Sequence, residues 1–282
     1  MPSEPELRYD AVVDVDADSS VGFAVRLAGW NKRVLDIGCA TGYVAAALGA
    51  RGCTVIGIEG DARAAERAGA VTERVIVGDL EDPVTMDALG DETFDVVLCG
   101  DVLEHLVDPV GVLRRAVGRL RPDGIVIVSL PNVAHVDVRL NLLQGRFPYT
   151  ELGLLDRTHL RFYTAASARE LLEQAGLTVV RTERTRAPLY ATEQAATIDR
   201  SAVGDALLQQ VLADPDAETY QFVMVGVRHG AGALVEDVAV RCAALEAEVA
   251  HLRSQRDDLQ RRLAAQRVRG LLRRLVQRAR QW

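Results

Sequence analysis

The chain has 282 residues, 49% of them hydrophobic and 26% charged, with a formal net charge of −7. That length holds one large domain with an appendage, or two small ones, and the composition excludes a fibrous or disordered chain. Cys39, Cys53, Cys99 and Cys242 are scattered with no CxxC pair, which excludes a disulfide framework and points to reduced thiols in the cytoplasm. The acidic start MPSEPELRYD does not have the form of a signal peptide, and no apolar run approaches the ~20 residues that span a bilayer.

Charge is unevenly placed. Residues 261–282 contain eight arginines and no acid, so removing their +8 from the total of −7 leaves −15 on the other 260 residues. Such a body argues against nucleic acid as a partner, while the tail suits an anionic surface.

In chain order, RVLDI, TVIGI, RVIV, FDVVLC and GIVIVSL (between residues 33 and 130) predict buried strands of a parallel sheet. YVAAALGARG, DARAAERAGA and VDPVGVLRRAVGRL predict the crossover helices between them. LTVVRTE (177–183) and YQFVMVGV (220–227) predict two more strands, the second antiparallel at the sheet edge. Beyond a short hinge at 228–233, Val235, Val238, Cys242, Leu245, Val249, Leu252, Leu259 and Leu263 fall on alternating three- and four-residue spacing, with Arg256 as the charged intruder. The spacing predicts a coiled-coil helix over 235–263, with an amphipathic helix packed on its own domain as the alternative. VRGLLRRLVQRARQW (268–282) then collects its apolar residues on one side, as in a helix lying on an anionic membrane.

VLDIGCATG (34–42) ends the first strand in a glycine turn, where open α/β sheets bind ligands. Its glycines, Gly38 and Gly42, do not make GxGxxG, and Asp36 beside them matches a pyrophosphate poorly but suits a ligand carrying positive charge. Glu59 closes the second strand, where a carboxylate can accept from two ribose hydroxyls. Asp79 closes the third, with Leu80 beside it, and Cys99, Gly100 and Asp101 close the fourth. Asp61 and Asp108 are expected to be helix caps.

At these residues the chain resembles the class I methyltransferases that use S-adenosyl-L-methionine, over about residues 30–185, with the strand at 220–227 completing their sheet. DIGCATG is similar to that family's first motif, DxGCGTG, with Ala40 in place of the middle glycine. The resemblance implies an α/β fold, a Rossmann-like seven-stranded mostly parallel sheet with helices on both faces, in a domain over 1–230. A coiled-coil helix with a basic amphipathic end follows at 231–282. It implies that Asp36, Gly38 and Gly42 hold the methionine part, Glu59 the ribose, and Asp79 and Leu80 the adenine. Cys39, Ala40, Gly60, Cys99 and Gly100 complete the implied cofactor contacts. A nearer resemblance, carried by SLPNVAHVDVRLNLLQGRFPYTELGLLDRTHLRFYT (129–164), is to a bacterial subgroup associated with glycan and polysaccharide synthesis. It implies a substrate lid or wall over 131–164 and a sugar-like hydroxyl acceptor.

An alcohol acceptor needs a general base, and histidine has its ordinary pKa near ~6.5. His135 and His159 are the expected candidates, with Asp156 able to orient an imidazole; His105 is as readily a packing residue. Arg139, Arg146 and Arg161 could clamp an anionic group on the acceptor, and Tyr149, with Phe147, Phe162 and Tyr163, could stack on a ring. No cluster at ligand spacing points to a metal; DVLEH (101–105) alone leaves that open. The leading expectation is O-methylation of a sugar or glycan hydroxyl by a homo-oligomer at the inner membrane surface. The alternatives are N- or C-methylation of an amino sugar, quinone or lipid precursor, and a non-catalytic cofactor-binding scaffold oligomerised by the coiled coil.

Overall fold

The computed structural model describes residues 13–230. The expected coiled coil at 235–263 and basic end at 261–282 lie outside them. Seven strands form one sheet: β1 (Arg33–Ile37), β2 (Thr54–Glu59), β3 (Arg74–Val77), β4 (Phe94–Gly100), β5 (Leu120–Pro131), β6 (Leu177–Arg186) and β7 (Thr219–Arg228). Their order is β3-β2-β1-β4-β5-β7-β6, with β7 antiparallel to both neighbours and β1 to β5 pairing in parallel.

The expectation that the last strand lies at the edge is corrected. Phe222, Val223, Met224 and Val225 of β7 are all buried, so both faces of this strand need covering and it sits between β5 and β6. The edge falls instead to β6, whose Arg181, Glu183, Arg184 and Arg186 make poor partners for edge-to-edge pairing.

Eight α-helices accompany the described sheet: α1 (Ser20–Ala28), α2 (Tyr43–Gly49), α3 (Ala62–Ala68), α4 (Pro83–Asp87), α5 (Pro109–Gly118), α6 (Val136–Leu143), α7 (Ala165–Gln174) and α8 (Asp205–Leu212). Asp61 and Asp108 cap α3 and α5, as their positions before the helical runs predict. Alternate side chains along each strand enter two cores. Leu35, Ile37, Val97, Cys99, Val126 and Val128 pack under α5 and α7 on one face. Val34, Val96, Leu98 and Ile127 pack with Val25 of α1 and Leu48 of α2 on the other. Residues 187–218 fold against α6 around Val136, Leu140, Ile198 and Val211.

Candidate functional site

The chain builds outward from β1 through β2 to β3 in one direction, and from β4 to β5 in the other. The switch point between β1 and β4 opens a crevice at the strands' carboxyl ends. The glycine turn lies there. Gly38 has φ +74°, and a Cβ on it would sit 2.8 Å from Cγ2 of Val102. Gly42 has φ +81°, and its Cβ would lie 2.9 Å from Cα of Ala68. Both positions therefore need glycine for backbone angle and for space. Ala40, where the resembled motif has glycine, also adopts positive φ, +47°. Its N–H donates to Glu59 Oε2 at 2.8 Å, which holds the strained residue in place.

Two carboxylates serve this turn. Glu59 accepts from Ala40 N and, through Oε1, from Asp61 N at 2.8 Å. A carboxylate has about four acceptor positions, so both oxygens retain capacity for a ligand. Asp36 is 3% exposed and its Oδ2 has no hydrogen-bond partner. Burial, reinforced by the nearby Glu59 charge, pushes its pKa from 3.8 up to about 7. Gly60 and Asp79 are exposed at the rim, Asp79 accepting from Glu81 N at 2.9 Å, while Leu80 is buried behind them. The side chains of Cys39 and Cys99 are buried and burial raises both thiol pKa values, so only their backbones are available to a ligand. Gly100 leaves open space, its Cβ position lying 4.0 Å from Ser129 Oγ.

At the end of β4 a second group of polar residues assembles. Asp101, at φ +52°, accepts through Oδ1 from Ser129 Oγ at 2.5 Å and Gln221 Nε2 at 3.0 Å, which ties β4, β5 and β7 together. Glu104 is 1% exposed, and neither carboxylate oxygen has a partner. Burial first, then the Asp101 and Asp156 charges, push its pKa well above the usual carboxylate range. An unpaired buried group costs about 1–3 kcal/mol, and more when charged. His105 and His159 stand beside Glu104, their ring centroids 4.9 Å apart. Glu104 and His105 sit in DVLEH; the sequence offers no signal that His159 joins them.

The structure separates the expected catalytic residues. Asp156 is buried and accepts from Thr158 N at 2.8 Å and Thr158 Oγ1 at 2.7 Å, and Thr158 O faces His105 Nδ1 at 3.2 Å. His159 thus belongs to the rim group. His135 does not. It is fully buried, its Nδ1 accepts from Asp137 N at 3.1 Å and its Nε2 faces Ala187 O at 2.9 Å. With both nitrogens used, His135 is a helix cap and its expected role as base is withdrawn. The expected anion clamp is not assembled either. Arg139 pairs with Asp214, Arg146 donates to Thr197 O and Gln144 Oε1, and Arg161 donates to Val107 O at 2.6 Å. Tyr149 remains exposed and packs edge-on to Phe147, with centroids 5.2 Å apart.

Comparison with known proteins decides what this crevice belongs to. The profile of a family described as a methyltransferase domain matches residues 21–182, more than half of the chain and all of the glycine turn and rim. The chain belongs to the methyltransferase domain family. A ubiquinone biosynthesis O-methyltransferase of Pseudomonas fluorescens (strain SBW25) is 38% identical over 112 residues, 38% of this chain and 47% of that protein. A relative of the same name from Neisseria meningitidis serogroup C is 30% identical over 163 residues, 54% of this chain and 66% of that protein. The chain spans about half the length of the first of these relatives. In fold it is similar to a SAM dependent methyltransferase from Archaeoglobus fulgidus, with TM-score 0.53 and 16% identity over 73% of this chain and 91% of that one. The magnesium protoporphyrin IX methyltransferase of Synechocystis PCC 6803, solved with bound SAH, gives 0.51 and 18% over 79% and 91%.

The cofactor of this methyltransferase domain is S-adenosyl-L-methionine, and the residues of the crevice fit it. The ligand carries a sulfonium and an ammonium charge, and Asp36 presents a buried carboxylate oxygen that lacks a donor. Glu59 has acceptor positions to spare for a diol, and Gly38 and Gly42 keep the turn free of side chains. Asp79 offers an exposed acceptor one strand further on, with Leu80 buried behind it.

Proposed function

We propose that the protein transfers the methyl group of S-adenosyl-L-methionine to a hydroxyl oxygen of a small-molecule acceptor seated at the β4–β5 rim. The observation that carries the cofactor half of this reading is Asp36 in β1 and Glu59 at the end of β2, two carboxylates flanking one glycine turn, the first with a buried oxygen that lacks a donor. In the reaction an oxygen–carbon bond forms, the carbon–sulfur bond breaks with its electron pair left on sulfur, and the hydroxyl proton leaves. The domain's task is alignment and proton removal. His105 and His159 at the rim are the groups placed for the second.

The relatives' name supports an oxygen acceptor and a ring of quinone-precursor type. The exposed Leu142, Leu143, Leu152 and Leu160, with Phe147 and Tyr149, suit a flat or apolar-tailed acceptor. A sugar hydroxyl is the second reading, favoured by the same rings, which can stack on a sugar face. Labelled cofactor offered with a panel of phenols, quinone precursors and nucleotide sugars tests both, the expected product being a methyl ether. His159→Ala should cut turnover by about 10²–10⁴ and leave cofactor affinity alone. Methylation at nitrogen or carbon, or full turnover in His159→Ala, overturns the respective part of the proposal.

A further inference from the structure

We infer that the groove between α5 and α7 is a second ligand site, which takes a free α-amino acid with an apolar side chain. The groove encloses about 300 Å³, the low end of the range for small-molecule pockets. None of its lining residues belongs to the glycine turn or to the carboxylates beside it. Ser167, Glu170, Leu171 and Gln174 recur at three- and four-residue spacing, so they form one face of α7, about 10 Å long at ~1.5 Å per residue. The start of α5, from Val107 to Val110, makes the facing wall, and Arg161 and Tyr163 complete the lining.

Tyr163 is the residue that calls for a ligand. It is 7% exposed and lines the groove, and among the described residues no hydrogen bond reaches its hydroxyl. Burial first, then the Glu104 charge, push its pKa up to about 12, so near neutral pH it is a donor. A buried donor without an acceptor is costly, and a ligand oxygen removes that cost. Arg161 is close enough for its charge to act on the same hydroxyl. Its guanidinium donates to Val107 O at 2.6 Å and, among the described residues, forms no ion pair.

The charges of the groove select the ligand. Asp108 and Glu170 are exposed on its walls, Asp108 accepting from Gly111 N at 2.9 Å and Glu170 from Gln174 Nε2 at 3.1 Å. A lone anion drawn to Arg161 would face both carboxylates, and a lone cation drawn to them would face Arg161. A zwitterion answers both signs. Its carboxylate accepts from the Tyr163 hydroxyl and the Arg161 guanidinium, and its ammonium donates to the acids. Val110 and Leu171 give its side chain an apolar floor. Arg161 N also donates to Glu104 O at 3.0 Å, so a ligand held here bears on the segment that carries His159.

This goes beyond the proposed function and does not depend on it. The test is calorimetry of the full chain with L-leucine, L-leucinamide and 4-methylpentanoate, with and without saturating S-adenosylhomocysteine. One equivalent of leucine is expected to bind in either condition. Leucinamide lacks the carboxylate and 4-methylpentanoate the ammonium, so each should bind at least about tenfold more weakly. Tyr163→Phe and Glu170→Gln should each weaken leucine by about tenfold, a cooperative thermal transition reporting that both variants are folded. The site is overturned if leucine does not bind at millimolar concentration, if both analogues bind as well as leucine, or if both variants bind it as tightly as the wild type. Displacement of leucine by S-adenosylhomocysteine would put the amino acid in the crevice and overturns the groove as well.

Discussion

Each oxygen of the Glu59 carboxylate already braces a backbone N–H, so this residue supports the turn as well as any ligand. Glu59→Ala should weaken cofactor binding by roughly 1.5–3 kcal/mol, the range for hydrogen bonds to a charged group. Unchanged affinity by calorimetry would remove Glu59 from the site. Asp36 makes a sharper prediction. Its folded-state pKa is raised from 3.8 to about 7, so the stability tied to it is present below its unfolded pKa and is lost as pH rises through about 7. At 1.36 kcal/mol per unit, the apo protein should lose up to about 4 kcal/mol across that window. Asp36→Asn should flatten the profile in denaturant titrations. A cationic cofactor binds the ionised form, so affinity should increase from about pH 6 to about pH 8 in the wild type and stay level in Asp36→Asn.

At the scale of elements, α6 and the segment over 187–218 are held together by buried polar groups as much as by the Val136–Ile198 packing. The Asp137 carboxylate accepts from Tyr190 N at 2.8 Å, Thr192 N at 3.2 Å and Thr192 Oγ1 at 2.7 Å. Asn141 donates to Gln194 O and accepts from Thr197 Oγ1 at 2.7 Å. Removing the Asp137 carboxylate strands those three donors. Asp137→Ala should therefore cost at least about 2 kcal/mol of stability, read from the midpoint of chemical unfolding. His135→Ala removes the cap of α6 and should cost about 1 kcal/mol. Turnover per folded molecule should survive it, in contrast to His159→Ala; loss of turnover without loss of stability would return His135 to the active site.

For the whole molecule, charge is the organising quantity. A body carrying −15 is joined to a stretch carrying +8 over residues 261–282, and among the described residues no helix is long and apolar enough to cross a membrane. The heptad pattern at 235–263 predicts self-association, because an apolar seam on a helix needs a partner surface. Light scattering should give a larger particle for the full chain than for one ending at Gly232. Flotation at low salt should carry the full chain, and not the shorter one, with anionic liposomes. Equal masses would end the oligomer reading, and indifference to anionic lipid the membrane reading.

Local signals were enough to determine the strands, the glycine turn and its acids, because each depends on a short pattern: β-branched runs, a tight turn after a buried strand, a carboxylate at a strand end. The caps at Asp61 and Asp108 were visible for the same reason. Tertiary structure decided everything that depends on residues far apart in the chain. It placed β7 inside the sheet, since strand order follows from which faces must be covered and not from chain order. It turned His135 into a cap, because Ala187 reaches its ring from 52 positions away. It matched Arg139 with Asp214 across 75 positions, where the sequence suggested a clamp on an anionic acceptor. And it set His159 against Glu104 and His105, a grouping without a pattern in sequence because hydrogen bonds from Leu160 and Arg161 to one carbonyl create it.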